Sequence, residues 1–118
     1  MKKKFKKNKN KLSKIENMWI FAMFDLPVKS SANKRAYVRF RKLLLREGFS
    51  MLQFSVYAKF CASRENAAKY CKYIEAGLPP DGQVRVVMIT DKQFGEMAVF
   101  YGRMPEKPEE PPEQLLLF

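Results

Sequence analysis

The chain has 118 residues, of which 47% are hydrophobic, so it can bury one compact core but is too short for two ordinary domains. Its formal net charge is +11, which in a protein this small favours an anionic partner, either a nucleic acid or an acidic membrane surface. No apolar run approaches the roughly 20 residues of a membrane-spanning helix, and the basic N-terminus lacks the apolar stretch of a signal peptide. We therefore expect a soluble, cytoplasmic protein with no membrane partner.

The cysteine and histidine content limits the chemistry that the chain can perform. Cys61 and Cys71 form no C-x-x-C pair, and there is no histidine to complete a zinc site, so we expect buried free thiols. The lack of histidine also removes the usual general base and the Ser/His and Cys/His nucleophile pairs. Any catalysis would have to depend on carboxylates, a metal or tyrosine.

The N-terminal part combines a basic arm with a very apolar segment. Residues 1–17 carry eight lysines against one acid, Glu16, which is typical of a disordered arm attracted to phosphate and equally of a solubilising leader. Residues 18–24 (MWIFAMF) form a near-continuous apolar run. Such a run predicts a central strand buried on both faces, which Pro27 prevents from continuing.

An amphipathic helix is predicted over about residues 31–47. Ser30 or Ser31 can cap its start, and Gly48 fits its C-terminal stop. Its apolar residues recur at helical spacing on one side, which indicates the side that faces a core.

The remaining elements follow in close succession. Residues 49–61 predict one or two strands with a tight connection near the middle, and residues 83–90 predict a further strand. Between them, Ser63 caps a second helix through Ala76, which Gly77 ends. Residues 92–94 begin a short link, and residues 97–101 are compatible with one more strand.

This order of elements is the βαββαβ pattern of a ferredoxin-like α+β sandwich, with two helices on one face of an antiparallel sheet and extra strands at the C-terminus. The open sheet face needs a cover, and a second copy of the chain is the simplest one, so the sequence predicts a homodimer. We expect a basic disordered arm in residues 1–17, a ferredoxin-like domain in residues 18–102, and a proline-rich linker with an apolar docking tail in residues 103–118.

The apolar tail ends the chain after a proline- and glutamate-rich stretch that should stay extended. Left in water, such a tail would promote aggregation, so we expect it to add as a strand to the dimer mate or to another partner. The alternatives are a tail that folds back on its own domain or stays disordered. The predicted docking residues are Leu115, Leu116, Leu117 and Phe118.

Asp25 is the candidate catalytic and metal-binding residue. It lies at the carboxyl end of the predicted central strand, where a carboxylate can bind Mg²⁺. Two copies related by a two-fold axis would make a more plausible site than one. The simpler interpretation, which the sequence alone favours, is a turn aspartate that accepts backbone N–H bonds.

The first predicted helix carries cations suited to a nucleic-acid backbone. At about 100° per residue, positions 35, 39, 42 and 46 line up in one narrow stripe, and Glu47 is the one acid of this helix. No base-reading motif accompanies them, so we expect recognition of backbone and shape. With two flanking lysines, the predicted backbone-contacting residues are Lys29, Lys34, Arg35, Arg39, Lys42 and Arg46.

Several short motifs occur in the order and spacing of a known family. They are Phe24-Asp25-Leu26-Pro27, a helix with Arg35, Tyr37, Phe40, Arg41 and Lys42, then Gly48-Phe49, Met51-Leu52-Gln53, Ser55-Val56-Tyr57 and Lys92-Gln93-Phe94. Over about residues 18–102 the chain closely resembles CRISPR-associated protein two, in the form found with type II systems.

The resemblance implies a ferredoxin-like homodimer that bridges two dimers of CRISPR-associated protein one, the integrase that inserts foreign DNA into the CRISPR array. The chain would supply a scaffold and a basic surface for double-stranded DNA. Members of the family are also described as Mg²⁺-dependent nucleases, with the aspartate that matches Asp25 as the metal ligand. Three functions therefore stay open: a DNA-binding scaffold in spacer acquisition, which we favour, a metal-dependent endonuclease with paired Asp25 residues, and a toxin-like endoribonuclease.

Overall fold

The computed structural model describes residues 16–112, so nearly all of the predicted basic arm and the predicted docking residues at the C-terminus lie outside the described residues. The main sheet contains β1 (Met18–Asp25), β2 (Ser50–Gln53), β3 (Val56–Cys61) and β4 (Gln83–Thr90). The helices are α1 (Ser31–Arg46), α2 (Arg64–Ala76) and α3 (Asp91–Gly95), and a hairpin contains β5 (Val99–Tyr101) and β6 (Met104–Glu106).

The main sheet has the strand order β2-β3-β1-β4, and β1 pairs antiparallel with both β3 and β4. The apolar run of the sequence is therefore a central strand, as predicted. With α1 between β1 and β2 and α2 between β3 and β4, this is the ferredoxin-like arrangement, and the predicted fold class is confirmed.

Local capping bonds explain where α1 and α2 begin. The Ser30 hydroxyl accepts from the Asn33 backbone N–H at 3.0 Å, so Ser30 rather than Ser31 is the N-cap of α1. The Ser63 hydroxyl accepts in the same way from Asn66 at 3.0 Å at the start of α2. Helix α1 ends at Arg46, one residue before the predicted end, and Gly48 adopts the left-handed φ of +89° that lets the chain turn into β2.

The larger core lies between the sheet and the first two helices. Alternate residues of β1 point into it because side chains in a strand alternate between the two faces. Within it the Phe24 ring packs edge-on against Phe40 of α1, with ring centroids 5.2 Å apart, and stacks on Tyr57 of β3. The buried members of this core are Met18, Ile20, Ala22, Phe24, Phe40, Leu44, Phe49, Tyr57, Cys61, Ala67 and Ile74.

A second, smaller core lies on the opposite face of the sheet, under α3. The Phe94 ring stacks on Trp19 with centroids 3.8 Å apart, and Trp19 Nε1 donates a hydrogen bond of 2.8 Å to Asp91. The prediction that residues 92–94 begin a link was therefore wrong. A capping box forms the helix instead, because Thr90 and Gln93 each accept a hydrogen bond from the other's backbone N–H.

The C-terminal strands form a separate hairpin rather than an extension of the main sheet. Gly102 makes the turn at a φ of +61°, and Pro105 of β6 lies opposite Phe100 of β5. Proline is accepted here because β6 is an edge strand and needs no ladder N–H at that position. The hairpin crosses the boundary that we expected at residue 102, so the first residues of the predicted linker are a strand.

Both cysteines are free, as expected, with Cys61 buried and Cys71 half-buried. Burial raises the pKa of the Cys61 thiol to about 11, although nearby Lys59 lowers it in part. At neutral pH this thiol therefore stays protonated and is a poor nucleophile. In the part of the chain that the structure describes, no helix is long and apolar enough to cross a membrane.

Candidate functional site

Asp25 is the last residue of β1 and is exposed. It shares its strand parity with Trp19 and Phe21, which belong to the smaller core, so it lies on the sheet face opposite α1 and α2. In the register with β4 its Cα partner is Gln83. The carboxylate therefore stands at one end of the face that α3 covers only in part.

The backbone around Asp25 is held closely on both sides. On one side, the Phe24 N–H donates to the Ser55 carbonyl at 3.0 Å, and Ser55 makes the β2–β3 turn at a φ of +64°. On the other side, a Cβ on Gly82 would lie 2.7 Å from the Asp25 carbonyl oxygen, and Gly82 has a φ of +93°. Only glycine fits there without a shift, so the position of Asp25 is fixed by its neighbours.

The Asp25 carboxylate has no hydrogen-bond partner and no ligand cluster around it among the described residues. No backbone N–H of residues 16–112 donates to this carboxylate, so the interpretation as a hydrogen-bonded turn aspartate finds no support in the described structure. Nor do the described residues contain a cluster of three or more His, Cys, Asp or Glu that could hold a metal ion. The described part of one chain thus supplies no complete set of ligands, and Asp25 would hold Mg²⁺ only with further ligands, such as the Asp25 of a second copy.

All six predicted basic residues are exposed; five of them lie on α1, and Lys29 precedes the helix. Among residues 16–112, no carboxylate forms an ion pair with any of them. The ion pair that is described joins two other residues, Arg64 and Glu16. A shallow depression runs along the helix and brings most of the predicted row together. Its lining residues are Lys34, Arg35, Val38, Arg39 and Lys42, whereas Lys29 and Arg46 lie outside it.

One residue of this helix was not predicted to take part in the site. Arg41 Nε donates a hydrogen bond of 2.9 Å to the hydroxyl of Tyr57, across from α1 to β3. Arg41 is exposed, whereas Tyr57 is 1% exposed. The sequence contains both residues in the family motifs, but their contact depends on how α1 packs on the sheet, which periodicity alone does not determine.

The sheet face that carries Asp25 is open over part of its area and borders the C-terminal hairpin. Phe21 and Val87 are directly opposite each other on β1 and β4, and Val87 is 42% exposed. A cleft separates this face from the hairpin, with Phe21, Leu52 and Val56 on one wall and Val99 and Tyr101 on the other. Apolar side chains therefore remain in contact with solvent where α3 does not reach.

The fold and these two features define a small ferredoxin-like protein with an exposed carboxylate at the end of its central strand and a cationic helix beside the sheet. The family described as CRISPR associated protein Cas2 matches residues 18–97. The chain belongs to this family.

Individual relatives extend the match beyond that range. A protein of Flavobacterium psychrophilum is 47% identical over 108 residues, which cover 92% of this chain and 94% of that protein. One of Parvibaculum lavamentivorans is 48% identical over 101 residues, 86% of this chain and 100% of its own length. One of Ligilactobacillus salivarius is 40% identical over 86 residues, 73% of this chain and 85% of that protein. Each of the three is named CRISPR-associated endoribonuclease Cas2.

Proposed function

We propose that this protein is a dimeric DNA-binding scaffold in CRISPR adaptation, where it bridges the integrase partner, CRISPR-associated protein one. The observation that carries the proposal is the set of cations on α1, four of which (Lys34, Arg35, Arg39 and Lys42) line one depression and have no described acidic partner. Repulsion among aligned cations is unfavourable unless an anion lies against them, and a duplex backbone supplies regularly spaced phosphates. The family membership supports the CRISPR context.

A second candidate function is cleavage of a phosphodiester bond, and the names of the relatives favour it for RNA. In this protein the carboxylates of two Asp25 residues would hold Mg²⁺, which when bound would supply electrostatic stabilisation of the phosphate. With neither histidine nor an ionised Cys61 at hand, the chain offers few other catalytic groups. A toxin-like endoribonuclease that acts without an integrase would depend on the same carboxylate.

Replacement of Asp25 by alanine separates the scaffold from the nuclease. We expect Asp25→Ala to bind duplex DNA and to support spacer acquisition with the integrase partner at the wild-type level, because the cations of α1 remain. Any Mg²⁺-dependent cleavage of RNA or DNA by the wild type should be lost. The measurements are spacer acquisition in cells and cleavage of labelled RNA and DNA by the purified protein.

Asp25→Asn is the matched control, because it removes the charge and keeps the shape. If both variants lose spacer acquisition while DNA binding and dimerisation are normal, the carboxylate has a role in acquisition and a purely structural scaffold is wrong.

We also propose that the second copy of the chain covers the open sheet face around Val87. Val87→Glu should place a charge in that contact, and we expect the dimer to dissociate at micromolar concentration. Light scattering would then give the mass of one 13.9 kDa chain, where the wild type gives twice that mass.

Leu78→Glu is the control for this experiment, since Leu78 follows α2, away from this face, and is 49% exposed. It should remain dimeric. A wild-type protein that is monomeric, or a Val87→Glu variant that stays dimeric, would contradict the proposed contact.

A further inference from the structure

We infer that Arg41, held in place by the Tyr57 hydroxyl, is an additional phosphate-binding residue of this protein. The inference rests on the proposed nucleic-acid binding by α1 and deepens it. Tyr57 is a rigid anchor because its ring is buried and stacks on Phe24, with centroids 5.6 Å apart and an interplanar angle of 25°. The hydrogen bond from Arg41 Nε, at 2.9 Å, therefore ties an exposed side chain to a fixed point of the core.

The hydrogen bond to Tyr57 leaves the two terminal nitrogens of the Arg41 guanidinium free. A guanidinium has five N–H donors, and the contact to Tyr57 takes the one on Nε. The two terminal nitrogens remain as a planar fork, which matches two oxygens of a phosphate. No described carboxylate forms an ion pair with Arg41, so an acid of residues 16–112 does not occupy that fork.

Arg41 also lies where the proposed DNA track would need it. Positions 34, 38 and 41 follow the i, i+4, i+7 spacing, so they lie within about 60° of one another around α1. Lys34 and Val38 line the basic depression, which places Arg41 at the next turn of the same row. The row that contains Arg35, Arg39 and Lys42 lies about 100° further round the helix, and Lys34 and Val38 separate it from Arg41. Arg41 thus widens the cationic surface toward β3.

If the only role of Arg41 were to donate a hydrogen bond to the Tyr57 hydroxyl, a neutral side chain with one N–H or O–H group would be sufficient. An arginine brings a full charge to that position, and its long side chain loses conformational freedom when it is fixed there. That loss has already occurred before a phosphate arrives, so binding the phosphate costs less. Tyr57 is accordingly a positioning residue and Arg41 the contacting one.

The test compares single and double variants in binding a labelled duplex DNA over a series of salt concentrations. We expect Arg41→Gln to weaken binding about tenfold at 0.1 M salt and to lower the slope of log affinity against log salt by about one, as for one lost phosphate contact. Tyr57→Phe should weaken binding about threefold with an unchanged slope, because the charge stays and only its placement is lost. In the Arg41→Gln background, Tyr57→Phe should have no further effect.

Two controls keep the outcomes distinct. Tyr37 is also on α1, and its hydroxyl has no described hydrogen bond. The Tyr37→Phe variant should therefore bind DNA like the wild type. Arg41→Lys keeps the charge and should restore the salt slope but not the full affinity. Normal binding by Arg41→Gln, or an equal effect of Tyr57→Phe with and without Arg41, would overturn the inference. If instead the other α1 cations also prove dispensable, the proposed nucleic-acid binding itself fails.

Discussion

Neutralising the stripe of cations on α1 should reduce the affinity for duplex DNA by about three orders of magnitude at 0.1 M salt. The variant replaces four side chains with glutamine: Arg35, Arg39, Lys42 and Arg46. Each phosphate contact contributes about 0.9 to the slope of log affinity against log salt, so the loss of four should lower that slope by roughly 3.6. The effect should be the same for unrelated DNA sequences, because the contacts are to phosphates. Fluorescence anisotropy with a labelled duplex, repeated over a salt series, measures both quantities.

The matched control removes the same charge from other parts of the surface. It replaces four exposed lysines with glutamine: Lys69, Lys72, Lys92 and Lys107. Both variants lower the formal net charge by four, from +11 to +7. If long-range attraction alone explained binding, the two variants would weaken it equally. A stripe that contacts the duplex predicts a much larger loss for the α1 variant.

The lysine-rich arm gives a second way for the prediction to fail. Residues 1–15 lie outside the described structure, and the sequence alone places many lysines there. If removal of residues 1–14 abolished binding while the α1 variant bound normally, the arm would be the nucleic-acid contact and the assignment to α1 would be wrong.

The features predicted correctly from the sequence are those that depend on residues close together along the chain. The apolar run in residues 18–24 has no polar alternation, and a strand with this property has to lie inside a sheet, where β1 is found. Ser30 and Ser63 precede helical patterns, and their hydroxyls accept the expected capping bonds. The stripe on α1 follows from the helical repeat alone, because the position of an exposed residue around a helix does not depend on tertiary contacts.

Features that depend on tertiary contacts were missed. Helix α3 has five residues, too few for a periodic pattern, and it forms because its capping box and Phe94 both find partners. Pro105 indicated a linker, yet it is compatible with the edge strand β6. The contact between Arg41 and Tyr57 spans 16 positions in sequence and depends on how α1 packs over β3.

The place of Asp25 at the end of the central strand was predicted from the sequence, whereas the sheet face on which it lies is known only from the structure. The strand parity places the carboxylate on the same side as Trp19, opposite the first two helices. This is also the side on which a second copy would cover Val87. The proposed metal site would need that contact to bring the two Asp25 carboxylates together as well.

Removal of the Phe94 side chain should destabilise the protein strongly. Phe94 is 1% exposed and fills the smaller core, so Phe94→Ala should cost about 3–5 kcal/mol of unfolding free energy. For a domain of this size that corresponds to a fall of more than about 10 °C in the melting temperature. The reason is that α3 is too short to persist alone and depends on this ring and on the bond from Trp19 to Asp91.

Tryptophan fluorescence gives an independent readout of the same change, because Trp19 is the chain's one tryptophan and its ring lies against Phe94 at 3.8 Å. Loss of the stacked ring should admit water and shift the native-state emission to longer wavelength. Phe54→Ala is the control: Phe54 is 81% exposed at the β2–β3 turn, and its loss should leave the melting temperature and the emission nearly unchanged. Equal stability of the two variants would mean that α3 does not hold the smaller core together, and the Lys92-Gln93-Phe94 motif would need another explanation.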